Sequence, residues 1–125
     1  MSLPPRLATE LERVKPTQAF EVTEDQDIIN VVFKNFEFGG NFNFTRGDVL
    51  IRIPRSYPDG GPDMFWTDPE VKLADGRIPQ SAEQIETYCG RPWRRFSWHK
   101  QNWQPSVDSL DSYLEFVRRR LRENK

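Results

Sequence analysis

The chain has 125 residues, with 18 Lys and Arg against 19 Asp and Glu and a formal net charge of -1. That length suits one domain, residues 1–125, and the balanced charge supplies no global field calling for nucleic acid or an anionic membrane. A lone cysteine, Cys89, excludes an internal disulfide, and one Cys with one His cannot furnish a structural zinc tetrahedron, so neither metal nor cofactor is expected.

Apolar residues make up 36%, but 9 Phe, 4 Trp and 3 Tyr bury enough area each for a self-sufficient core. No charged-then-apolar leader and no run of about 20 apolar residues occurs, so a soluble, cytoplasmic protein with no membrane partner is expected. Residues 7 to 15, LATELERVK, place Leu7, Leu11 and Val14 on one helical face behind Pro4 and Pro5, which predicts a short N-terminal helix ending before Pro16. From Phe20 to Phe38 the β-branched and aromatic content predicts two strands that turn near Glu24 to Asp27. Gly39-Gly40-Asn41 reads as a turn, VLIRIP at 49 to 54 as a third strand, and MFW at 64 to 66 as a short fourth. Short turns and no intervening helix imply an antiparallel meander.

Between the third and fourth strands stands Tyr57-Pro58-Asp59-Gly60-Gly61-Pro62. Its prolines preset the backbone before folding, so the next strand enters at a fixed angle. The glycines here and at 39–40 lack the helix context and downstream lysine of a phosphate loop.

Residues 67 to 105 show little periodicity, and QSAEQIETY at 80 to 88 is read as a short helix inside a long loop. GRPWRRFSWHKQNWQP then mixes four cations with four large aromatic residues, a composition that stacks single-stranded bases or else pins a loop over the core; the second reading is preferred. Last comes a helix from about Val107 to Leu121. Ser106 is its expected N-cap, and Leu110, Tyr113, Leu114, Val117 and Leu121 form one apolar stripe. Its closing Arg118, Arg119, Arg120 and Arg122 suit a helix C-terminus.

Taken in order, these features resemble the ubiquitin-conjugating enzyme fold: Gly39-Gly40 ahead of VLIRIP, the YPDGGP corner, MFWT, Asp75-Gly76-Arg77-Ile78, Trp103-Gln104-Pro105 and the final helix. YPDGGPDMFWTDP followed by WRRFSWH is more closely similar to the prokaryotic branch of that superfamily, associated with bacterial ubiquitin-like systems. The likeness covers about residues 5 to 122. It implies an α+β fold with an N-terminal helix, a four-stranded antiparallel meander, a long loop around the active-site region and a C-terminal crossover helix. Tyr57, Pro58, Pro62, Trp103 and Pro105 would be its structural turn residues. By the same resemblance the partners are a ubiquitin-like modifier and an activating-type enzyme, the latter meeting Arg6, Arg13 and Lys15 on the first helix.

The departures bear on chemistry. Where the resembling enzymes carry His-Pro-Asn this chain has Asp68-Pro69-Glu70, and where their cysteine follows the Asp-Gly-x-Ile run this chain has Pro79. Cys89, ten residues later, is the candidate nucleophile, with Arg91, Arg94, Arg95 and His99 as residues able to lower its pKa if folded beside it. His99 is a candidate orienting or proton-transferring group. Three functions remain open: a thioester carrier of a ubiquitin-like modifier, a noncatalytic binding module of the same fold like the RWD domains, and, more weakly, a single-strand nucleic-acid binder.

Overall fold

Helix α1, Pro5–Val14, begins at a proline because the first turn needs no N–H partner there. Its buried stripe is Leu7, Glu10, Leu11 and Val14, so an acid sits among the apolar residues. The computed structural model describes residues 3–123. Among the described residues the strands β1 Phe20–Glu24, β2 Ile28–Glu37, β3 Arg46–Pro54, β4 Phe65–Thr67, β5 Ile85–Tyr88 and β6 Arg91–Phe96 follow, and then helix α2, Leu110–Glu123.

All strand pairs are antiparallel, in the order β1-β2-β3-β4-β6-β5. The expected four-stranded meander is therefore incomplete: β1 to β4 do run in sequence, but two further strands extend the sheet. The helix expected over residues 80 to 88 is absent; Ala82 closes a turn on the Pro79 carbonyl and residues 85–88 are strand. Cys89 and Gly90 both have positive φ, 54° and 74°, between the paired residues Tyr88 and Arg91. Two consecutive residues in that region make a two-residue hairpin whose twist matches its strands.

Parity assigns the faces. Ile29, Val31 and Phe33 of β2 lie opposite Ile53, Ile51 and Val49 of β3 and join the main core with both helices. The alternate residues, Val32 and Leu50, form a second cluster on the other face with Trp66 and the fully buried Trp93. A bulge between Phe33 and Phe36, with Asn35 at φ 55°, adds one residue to β2 and returns Phe36 to the core side.

Helix α2 begins three residues later than expected. Ser109, rather than Ser106, is its cap: the Ser112 amide donates to the Ser109 hydroxyl and the Ser109 amide to the Ser112 hydroxyl. Val107, which the sequence placed inside the helix, is 73% exposed. Leu110, Tyr113, Leu114, Val117 and Leu121 are buried, each worth about 1.5–3 kcal/mol relative to exposure. At its other end the Asn41 side chain donates to the carbonyls of Leu121 and Arg122.

The YPDGGP corner is bolted from both sides. Its Tyr57–Pro58 bond is cis. Buried Tyr57 donates its hydroxyl to Glu10 of α1, and its ring lies 5.8 Å from that of Trp103. The Trp103 indole donates to the Pro58 carbonyl. Glu10 also accepts from Arg6 and from the Leu110 amide, so one carboxylate joins α1, the corner and the start of α2.

Candidate functional site

Cys89 occupies the tip of the β5–β6 hairpin and is exposed. The sheet curls enough for this tip to reach β1, where the thiol lies 3.5 Å from the Thr23 hydroxyl. Glu21, Lys34, Arg91 and Trp93 line the same shallow cavity of about 270 Å³. The cations there are engaged: Lys34 pairs with Glu21 and Asp48, and Arg91 with Asp48 and Asp68. The hydrogen bond to Asp48, foremost, raises the Lys34 pKa, while burial pushes the Asp68 carboxyl up against the pull of Arg91.

His99 lies beyond the far end of β6. Six strand residues at about 3.3 Å each separate the two candidates by roughly 20 Å. The structure thus gives Cys89 and His99 different surroundings instead of one dyad. Among the expected neighbours of Cys89, only Arg91 shares its cavity.

His99 lines a polar groove of about 490 Å³ with Gln80, Ser81, Ser97, Arg120 and Glu123. Two chain segments meet in its floor, because the Ser97 amide donates to the Ser81 carbonyl and the Trp98 indole to that of Gln80. Ser81 is held at φ 61°. The Arg120 guanidinium lies 5.2 Å from the centre of the Trp98 ring. His99 Nδ1 is 2.8 and 2.9 Å from the two Asp63 carboxylate oxygens. Sequence reasoning singled out His99 but missed Asp63; its one signal was an acid placed directly after Pro62, where the rigid corner ends.

The basic aromatic segment is turned inward. Trp93, Phe96 and Trp98 are buried. Arg94 is also buried and donates to the carbonyls of Pro69 and Ala82, with burial lowering its pKa. Arg95 pairs with Glu86, and Lys100 with Asp108. The rings and cations proposed for base stacking and phosphate contact are therefore used within the fold.

Arg13 of α1 and Lys15, its C-cap, are exposed. Arg6 instead pairs with Glu10 and donates to the carbonyls of Pro105 and Asp108, which makes it a tie between the helices. Pro105 is thus a structural acceptor as well as a turn residue. Glu10 escaped sequence analysis although its spacing from Leu7 and Val14 places it on the buried stripe.

Among the described residues no cluster of three His, Cys, Asp or Glu is arranged to hold a metal, and no helix is long and apolar enough to cross a membrane. No curated protein and no solved structure matches the chain. A family model does match, across residues 10–124, the span that contains the corner, the curled sheet, the groove and the crossover helix. The chain therefore belongs to prokaryotic E2 family E.

Proposed function

We propose that this protein serves a prokaryotic ubiquitin-like conjugation pathway as a module that holds the modifier noncovalently, with the groove beside His99 as its working end. Membership of an E2-like family implies dealings with a modifier and an activating enzyme in general. One observation carries the noncovalent reading. The segment after Ile78, where the resembling enzymes bear their cysteine, supplies Gln80 and Ser81 to the groove, whereas the only thiol lies beyond the opposite end of β6.

A second reading, carriage of the modifier on Cys89, has its own support. The thiol is exposed, and cysteine occupies a positive-φ turn position that Asn or Gly fills more easily. Incubation with the cognate activating enzyme, ATP and modifier separates the two. The noncovalent module gives modifier binding, mapped by amide chemical shifts to 79–81 and 97–101, with no adduct. A reductant-sensitive adduct that disappears in Cys89→Ala would establish the carrier instead. Neither binding nor adduct would sink both.

A further inference from the structure

The geometry points to Asp63 as a positioning residue that fixes His99 in one tautomer and leaves its Nε2 as a proton acceptor for an amine bound in the groove. A carboxylate only accepts hydrogen bonds, so an Asp63 carboxylate within 2.8–2.9 Å of Nδ1 requires that nitrogen to carry the proton. Nε2 then holds the lone pair. It has no hydrogen-bond partner among the described residues, and the ring lines the groove.

Asp63 is placed by the corner. It follows Pro62 directly, and the residues before it are clamped by Tyr57 on Glu10 and by Trp103 on the Pro58 carbonyl. Its charge is also felt by Tyr113, whose phenol is pushed up by burial first and by Asp63 second. The stiff turn thus delivers an acid to an imidazole 36 residues further along the chain.

The other charges facing the groove come from α2. Glu123 on the rim attracts an ammonium group, while Arg120 lies over the Trp98 ring. A primary ammonium seated there transfers one proton to Nε2 and becomes a neutral amine with a free electron pair. The imidazolium that forms keeps its Nδ1–H on Asp63, whose negative charge stabilises it. This inference rests on the groove being the working end of the conjugation module and adds the residue that orients its histidine.

The chain contains one histidine, so its ring nitrogens give unambiguous signals in a long-range ¹H–¹⁵N NMR spectrum. At about pH 9, above the ordinary imidazole range, the native protein should show mainly the Nδ1–H form. Asp63→Ala should move it toward Nε2–H. A native ring that is mainly Nε2–H, or an unchanged balance in Asp63→Ala, overturns the assignment. In the complete system with activating enzyme, ATP and modifier, attack of free Nα-acetyllysine on the modifier thioester carried by the activating enzyme, which forms the amide and releases that enzyme's thiolate, should fall by about 10²- to 10⁴-fold in Asp63→Ala, with modifier binding retained. An unchanged transfer rate overturns the proton-acceptor role. If the native chain neither binds modifier nor supports transfer, the conjugation reading fails and the tautomer measurement alone decides the role of Asp63. Asp63 is exposed, and far-UV circular dichroism checks that its variant keeps the fold.

Discussion

A Cβ built on Gly61 would lie 2.2 Å from the Trp103 ring, and that ring is held by its indole hydrogen bond and by contact with Tyr57, so it cannot withdraw freely. Gly61→Ala should therefore cost about 1–3 kcal/mol, the usual penalty of overpacking, read as a lower urea midpoint. Gly40 has open space at the same position and no left-handed φ, and Gly40→Ala is the matched control, expected near neutral. Asp108 gives a pH test. The Gln104 amide holds its carboxyl below the ordinary carboxylate value of 3.8, with Lys100 and Ser112 adding to the effect against burial. A lowered folded pKa means that this stabilisation is fully present above the unfolded value and is lost as pH falls through the folded one. Urea midpoints measured from about pH 5 to about pH 2 should fall less steeply for Asp108→Asn than for the parent; parallel curves would show that Asp108 contributes nothing.

The two sides of the sheet can be compared element by element. Leu114 of α2 and Trp93 of β6 are both almost fully buried, but in separate clusters. Leu114→Ala should cost about 2–5 kcal/mol and Trp93→Ala about 3–5 kcal/mol in denaturant unfolding. Amide exchange should tell them apart: Trp93→Ala loosens the β5–β6 hairpin before the rest, and a uniform loss of protection would show that the outer cluster is not a separate unit. Helix α2 was legible because its apolar stripe is long and periodic, whereas its start was not. Ser106 and Ser109 are equally good caps in sequence, and the Lys100–Asp108 pair with the Gln104 amide bond keeps residues 104–108 in turns. The β5–β6 hairpin was hidden for a different reason. Its turn lacks the usual Asn-Gly, and a cysteine ahead of Gly90 carries no turn signal of its own.

At the scale of the molecule, the first helix and its C-cap leave only some of their cations exposed. Arg13 and Lys15 are exposed, while Arg6 is spent on Glu10 and the approach to α2. Reversing Arg13 and Lys15 to Glu should slow association with the cognate activating enzyme mainly through the encounter rate, and more at low salt than at high. An association rate indifferent to both charges and salt would remove α1 from that interface. The sequence by itself determined the two amphipathic helices, the strands up to β4, the stiff corner and the family likeness, because each rests on periodicity or on motifs read within a few residues. Tertiary structure alone decided which distant side chains meet. Strand parity put Trp93 on the outer face, and the length of β6 parted Cys89 from His99. The clamped corner brought Asp63 to that histidine, since the side-chain partners of a folded chain are set by pairing register and packing, on which linear spacing is silent.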